Sequence, residues 1–513
     1  MANYLIGTDI GTGGTKSVLI DEEGRTLASA YIEYGLITKR PGWAEQDPEW
    51  YWNAVADTIH KCIADSGVNN SEIRGVSISA LAPACILVDR ELRPLQFSHI
   101  WMDRRGTAEA AWVHEKVGDE RAAEKSGNPI DPYFATIKLL WEKNNRPELY
   151  KKTYKIQTAA DYPVMKLTGR AVTDYSNASL FGVGYDIINK CWDEEVLEQL
   201  GLDPEKLPDS FPCDEVIGEV TAEAAERTGL KKGTPVVAGT VDANAAYVAG
   251  GVIEPGEMSI TMGTAGCMGI IHDKPSFTKN MITIAHTANS RHMYSTLGCI
   301  VSCGALTRYF RDNFAQEEQR FAKQMGLDVY DIMNMEAAKA PIGSDGLITL
   351  PYFMGERTPI WDPVARGVLF GLSLAHGRGH VIRSFMEAAA YALYQNFLYI
   401  RASGLEMKLP MVLVEGGAKS ALWRRIIADV FDIPVAFMAE SKGAPVGNAI
   451  NAGVGVGVFK SYDVVKDWVK FSNYEQPNPE AHAKYEQYYA IYDRLYGELK
   501  GEYQALAKAT GYR

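Results

Sequence analysis

A two-domain α/β protein is the fold class this sequence predicts, and three observations predict it. The chain has 513 residues, more than one hydrophobic core accommodates. A strand–Gly/Thr turn–strand unit occurs near the start (Tyr4–Asp21) and again at Met258–Ile271. Between them, the apolar β-branched run Pro235–Ala238 reads as a buried strand that leads through Gly239 and Thr240 to Asp242, where small residues open a helix.

Composition narrows the class. Hydrophobic residues make up 46% and charged residues 23%, the balance of an ordinary globular protein. The formal net charge of −12 argues against a nucleic acid held on a basic face. The most apolar stretch, Val236–Ile253, is interrupted by Asp242 and Asn244, so no membrane span is expected. MANYLIGTDIG lacks a basic n-region, so no signal peptide is expected. Seven cysteines with no CxxC and no Cys/His cluster read as reduced thiols in a cytoplasm.

In chain order, Tyr4–Asp9, Ser17–Asp21 and Leu27–Tyr34 are expected to be strands, the first two joined by the turn Gly11–Lys16. The familiar phosphate loops join a strand to a helix, and neither the Walker pattern nor GxGxxG fits here. A Gly/Thr hairpin still bares backbone N–H groups and adds hydroxyl donors for phosphate; the alternative is a plain turn. The second hairpin, Gly263–Gly266, favours the phosphate reading and suggests two related domains bringing their turns to one ligand. Pro48–Ser66 has helical periodicity and Gly75–Ala80 is a strand. Tyr185–Phe211 reads as polar and helical, and Glu317–Ala338 as a charged helical embellishment. His380–Ala402 is a long core helix, with His380 a polar residue at its start. Pro445–Phe459 is a small-residue helix suited to close packing or nucleotide approach, and the last 50 residues read as amphipathic helices. The halves should divide near residue 250, giving domains 1–249 and 250–513.

Asp242 is a lone carboxylate at the end of a buried strand, costly to hold without a partner. It reads either as a catalytic base or metal-associated acid, or as a helix N-cap.

These motifs carry a family resemblance over nearly the whole chain. DIGTGGTK (9–16) is similar to the first phosphate motif of the FGGY carbohydrate kinases, and MGTAG (262–266) to the second. Tyr133–Asn145 is close to the family's first signature, departing at Ala135 and Glu142, and Gly367–Glu387 fits the second. Glu415–Val430 is similar to the adenosine motif, and the tail resembles that of xylulokinases. The resemblance implies two actin-like ATPase (ribonuclease H-like) domains flanking a catalytic cleft. It implies phosphoryl transfer from MgATP to a sugar or polyol hydroxyl, with Asp242 as the base and Asp9, helped by Asp242, orienting Mg²⁺. Thr12, Gly13, Gly14 and Lys16 would contact phosphate, as would Gly263 and Thr264. Gly304, Gly417 and Ala418 would line the adenosine pocket. Trp101, Asp103, Arg104, Tyr133, Asp242 and Asn244 would meet the sugar. Lys16 as a solvated strand lysine and Trp101 as a core residue remain the alternatives.

The substrate residues are mixed. Tyr133 resembles glycerol kinases and VDANAA the ribulokinase-like members, while Ala82-Pro83 matches neither the Met-His of xylulokinases nor the Arg-Glu of glycerol kinases. A ketopentose or similar linear sugar or polyol is favoured, with glycerol, erythritol, gluconate, hexuloses and autoinducer-2 as other family substrates. A homodimer is the assembly considered. Two non-kinase readings stand beside these: an actin-like nucleotide-dependent scaffold, and a sugar-binding regulator without catalysis.

Overall fold

The computed structural model describes residues 2–439 and 442–511. They form two compact units. The first comprises residues 1–255 together with 271–295 and 442–469, and the second comprises 256–270, 296–441 and 470–513. Among the described residues no helix is long and apolar enough to cross a membrane.

The first unit is built on β1 (Tyr4–Gly11), β2 (Gly14–Ile20) and β3 (Thr26–Glu33), an antiparallel meander. The β1–β2 turn is tighter than the expected Gly11–Lys16: Gly11 pairs with Gly14, so only Thr12 and Gly13 lie at the tip. Helix α1 (Pro48–Ser66) follows and matches its predicted bounds. Its signals are local: Asp47 accepts the Glu49 N–H, Pro48 opens the first turn, and Gly67 closes the helix at φ 67°. Its buried face (Tyr51, Val55, Ile59, Cys62) covers the sheet. Strand β4 (Ile73–Ala80) then adds parallel to β1, aligning Ser79 with Asp9.

The strand expected at Pro235–Ala238 runs over Pro235–Val237 (β5), and a second short strand, β6 (Thr240–Val241), follows it; both are parallel to β4. Gly239 makes the break at φ 102°, and a Cβ there would meet the Ile78 carbonyl oxygen at 2.5 Å. Helix α2 (Asp242–Ala249) starts one residue earlier than predicted. The sheet order is thus third–second–first–fourth–fifth, with Val216–Glu219 at the far edge.

The small-residue helix runs over Gly443–Gly455, and its glycines serve packing. A Cβ on Gly7 of β1 would lie 1.8 Å from the Pro445 oxygen, and one on Gly447 would lie 1.9 Å from the Ala245 oxygen. Tyr185–Phe211 is not mainly helical. Tyr185–Asp186 pairs with Cys191–Trp192 as a small hairpin, turned by Lys190 at φ 58°, and only Glu194–Gln199 is α-helical.

The second unit repeats the strand order. Strands β7 (Met258–Met262) and β8 (Gly266–His272) form an antiparallel hairpin, with β9 (Tyr294–Ile300) next beyond β8. Helix α3 (Gly304–Phe314) follows. The helix expected over Glu317–Ala338 is two helices, Gln316–Met325 and α4 (Val329–Ala337), separated by Gly326 at φ 66° and capped by Asp328. Helix α5 (Arg378–Ala402) is the long core helix, with His380 Nδ1 accepting the Gly377 N–H at its start. Strands β10 (Met411–Val414) and β11 (Val435–Phe437) add in parallel on the other side of β7, joined through α6 (Ala421–Phe431). The tail is not all helix: Ser472–Glu475 extends this sheet antiparallel to β11, and Pro479–Thr510 lays Tyr485, Tyr489, Tyr492 and Tyr503 into the core.

Candidate active site

In the first unit, β1, β4 and β6 all run parallel and end at the same edge. Ligands of open α/β sheets bind at such carboxyl ends. Asp9 aligns with Ser79, and Ser79 with Thr240, so Asp242 follows two residues beyond the position that shares Asp9's level. Asp9 and Asp242 are both half-buried. The Ser79 hydroxyl donates to Asp9 Oδ1 at 2.6 Å. Asn448 in turn donates to Ser79 Oγ (2.7 Å) and to the Thr8 carbonyl (2.8 Å). Neither Ser79 nor Asn448 stood out in the sequence.

Asp242 is the first helical residue of α2. The N-cap is Val241, which offers no side-chain hydrogen bond, so the N-cap alternative does not describe where Asp242 stands. Its Oδ1 accepts the neighbouring Ala243 N–H at 2.7 Å. The helix N-terminus favours its negative charge.

The Thr12–Gly13 tip is held from behind. Tyr34 donates to the Gly11 carbonyl (2.8 Å), Gln46 to the Thr12 carbonyl (2.8 Å), and the Trp101 indole to Thr12 Oγ1 (3.1 Å). Trp101 thereby braces the β1–β2 turn. Gly14 is required as glycine, since a Cβ would meet the Ile32 carbonyl oxygen at 2.5 Å, whereas Gly13 has space. Lys16 is exposed on β2 opposite Asp9.

The other residues expected at the sugar cluster near one another. Arg104 forks onto Asp131 (2.5 and 2.8 Å), which also accepts the Tyr133 N–H, and Tyr133 donates to the Ala82 carbonyl at 3.0 Å. Asp103 is 1% exposed and accepts from Arg105 and the Ala44 N–H. Burial raises its carboxyl, but the Arg105 hydrogen bond and the Lys138 ammonium outweigh that and hold it below the usual range. Its carboxylate is spent on fixing this loop. Lys138 is buried and donates to the carbonyls of Asp103 and Pro132, tying these two loops together.

Asn244 is buried. It donates to the Ala285 carbonyl (2.7 Å) and accepts from Ser295 Oγ (2.8 Å), which lies 2.8 Å from His286 Nδ1. Burial drives the His286 pKa down from 6.5 to about 3. An unfolded chain takes up that proton as the pH falls through 6.5, and the folded one resists until about 3, so acidification across this window favours unfolding. The melting temperature should fall across it, and His286→Gln should reduce the slope. Identical slopes in both proteins would contradict this assignment.

The second unit holds a cavity of about 590 Å³ lined by the β7–β8 turn, the start of α3, α4 and the segment after β10. That size suits a small ligand. The α3 amides satisfy the turn's carbonyls: Gly304 N–H donates to the Gly263 oxygen (2.8 Å) and Ala305 N–H to the Thr264 oxygen (3.1 Å). A Cβ on Gly304 would stand 2.6 Å from the Gly263 oxygen, and one on Gly417 3.0 Å from the Met262 oxygen. Gly263, Thr264, Gly304 and Gly417 therefore converge on one cavity. Ala418 differs: it is fully buried, and the wall there is Gly416, Gly417, Lys419 and Ser420. Helix α4, read from sequence as embellishment, supplies Tyr330, Asp331, Met333 and Asn334 to the wall. Asn334 accepts from Ser420 Oγ at 3.1 Å. Arg308 of α3 donates to Thr264 Oγ1 at 2.5 Å.

Carboxylates at strand ends, Gly/Thr turns and a small-ligand cavity are parts that phosphoryl transfer uses, and comparison with known proteins gives the class. The N-terminal-domain model of the FGGY family of carbohydrate kinases matches residues 4–249, and the C-terminal-domain model matches residues 258–456. The chain belongs to this family and is a sugar kinase. It is 30% identical to a gluconokinase of Bacillus licheniformis over 508 residues, covering 99% of this chain and 98% of that one. Its fold is similar to the xylulose kinase of Rhodospirillum rubrum (TM-score 0.88, 28% identity, 98% of this chain and 100% of that one). It is likewise similar to the gluconate kinase of Lactobacillus acidophilus (TM-score 0.89, 26% identity, 99% and 100%). Both units having the same strand order agrees with the actin-like fold expected from the motifs.

Proposed function

We propose that this kinase transfers the γ-phosphoryl group of MgATP to a hydroxyl of a ketopentose or similar linear sugar or polyol in the cytoplasm. The observation that carries the reading is the pair Asp9 and Asp242 at the carboxyl ends of β1 and β6, beside the Thr12–Gly13 turn. Asp242 accepts the proton of the attacking hydroxyl. Asp9, with Asp242, supplies hard oxygen ligands of the kind Mg²⁺ takes alongside phosphates. The cation, when bound, neutralises charge developing on the phosphates.

The residues present suit a nucleotide. The cavity of the second unit is bounded by three glycines whose Cβ atoms would collide with backbone or side chains, by turn hydroxyls, and by Tyr330, Met333 and Trp423 for an apolar ring. Gly263, Thr264 and Arg308 present donors to phosphate there; in the first unit, Thr12, Gly13, Gly14 and Lys16 are the residues assigned to phosphate. Residues 1–249 thus carry the acceptor site and base, and residues 250–513 the donor site. Trp101, Arg104, Tyr133 and Asn244 line or brace the acceptor site, with Asp103 holding the loop.

Gluconate is the second reading, favoured by the 30%-identical relative of that name. An ADP-release screen across pentuloses, polyols and aldonates tests both. One acceptor should stimulate ADP release, and chelation should abolish it. ADP release indifferent to every acceptor would favour the scaffold reading.

A further inference from the structure

We propose that Ser176 and Asp174 are positioning residues for phosphoryl transfer, holding the backbone on which Asp242 stands. The proposal rests on the reading of Asp242 as the base.

Helix α2 begins without a conventional cap. Its N-cap is Val241, buried and unable to accept a hydrogen bond through its side chain. A buried backbone N–H left unpaired is costly. The Val241 N–H is satisfied by Ser176 Oγ at 3.0 Å, a side chain 65 residues upstream. Ser176 lies in the short helix Tyr175–Ser179, capped by Asp174.

Asp174 is fully buried, and both its carboxyl oxygens accept hydrogen bonds. Its Oδ1 accepts from Ser176 Oγ (2.5 Å), Ser176 N–H (2.8 Å) and Asn177 N–H (3.0 Å), and its Oδ2 from the Asn177 side chain (2.5 Å). A hydroxyl has one proton and two lone pairs. With its proton given to Asp174, Ser176 Oγ is an acceptor toward both Val241 N–H and Thr240 Oγ1 (3.0 Å). Thr240 Oγ1 then accepts from Thr287 Oγ1 at 2.5 Å. The donors therefore run one way, Thr287 to Thr240 to Ser176 to Asp174, and all four side chains are buried. With Ser176 donating to Asp174, its oxygen is left to accept the Val241 N–H.

This anchor sits where aim matters. Thr240 and Val241 pair with Ser79 and Ala80 of β4, and Ser79 is the donor to Asp9. The bend at Gly239 makes this stretch only two residues long between a break and a helix. Loss of the Ser176 bond leaves the Val241 N–H, immediately before Asp242, without the hydroxyl that accepts it and loosens the start of α2. Misplacement of a reacting group by about 1 Å costs roughly a hundredfold in rate.

The test is a double-mutant cycle on the full chain, reading kcat, KM for ATP and for the acceptor, and melting temperature. Ser176→Ala should lower kcat roughly ten- to hundredfold with both KM values nearly unmoved. In an Asp242→Asn background the same change should cost little more, because the group it aims is already gone. If Ser176→Ala does not fold, the near-isosteric Asp174→Asn carries the same test. A kcat loss that multiplies in full with that of Asp242→Asn, or unchanged kcat, overturns the positioning role while leaving Asp242 as base. Wild-type kcat in Asp242→Asn alone removes the base assignment, and this proposal with it.

Discussion

Asp242→Asn should leave ATP and acceptor binding nearly intact while kcat falls about 10²–10⁴-fold, a loss of roughly 3–5.5 kcal/mol of transition-state stabilisation. The substitution conserves size, and an amide oxygen still accepts the Ala243 N–H that Oδ1 accepts now. The fold should therefore survive. Helix α2 loses a favourable charge at its N-terminus, worth about 0.3–1 kcal/mol, so a small drop in melting temperature is compatible with this account. On the proposed reading, what is lost is the proton acceptor and one negative charge at the Mg²⁺ site. Because Val241 rather than Asp242 occupies the cap position, a large stability effect is not expected. Near wild-type kcat would end the general-base assignment.

Gly304→Ala should weaken nucleotide binding roughly five- to hundredfold, from an overpacking cost of about 1–3 kcal/mol. The added carbon would stand 2.6 Å from the Gly263 carbonyl oxygen, a backbone atom of the β7–β8 turn, so the turn itself must move. The Gly304 N–H to Gly263 hydrogen bond would stretch with it. Gly416→Ala is the control: it lines the same cavity, but a Cβ there meets nothing within 4 Å. The contrast separates backbone crowding from general disturbance of the cavity. Titration of both variants with an ATP analogue, followed by fluorescence or calorimetry, checks it. Equal affinities would show that the Gly263–Gly304 contact does not shape the nucleotide site proposed for this cavity. Gly263→Val is a less clean probe, since its added Cβ first meets the movable Glu415 carboxylate, 2.3 Å away.

The elements that were legible in the sequence carry their signals locally. Helix α1 announces itself with Asp47, Pro48 and Gly67, and both hairpins with Gly and Thr between apolar alternation. Asp242 was legible because a carboxylate at the end of an apolar run has few bland explanations. Tyr185–Phe211 was not legible. Its polar spacing suits a helix, but the turn through Asp186, Asn189 and Lys190 is closed by the Asp186 carboxylate accepting backbone N–H groups of Ile188 and Asn189. Helix α4 looked peripheral because nothing local marks Tyr330 or Asn334; their place in the cavity is set by packing against α5. Ser79, Asn448 and Ser176 were missed for the same reason. Each acts on a residue 64 or more positions away, and no periodicity or motif encodes such a pairing.

Phosphorus NMR of a complete reaction tests the central claim most directly. The protein is incubated with ATP, Mg²⁺ and the acceptor that most stimulates ADP release, and the fate of the γ-phosphorus is followed. A new phosphomonoester resonance should grow one-for-one with ADP, absent without acceptor and nearly absent with Asp242→Asn. Inorganic phosphate as the sole product, or no turnover with any pentulose, polyol or aldonate, would contradict it.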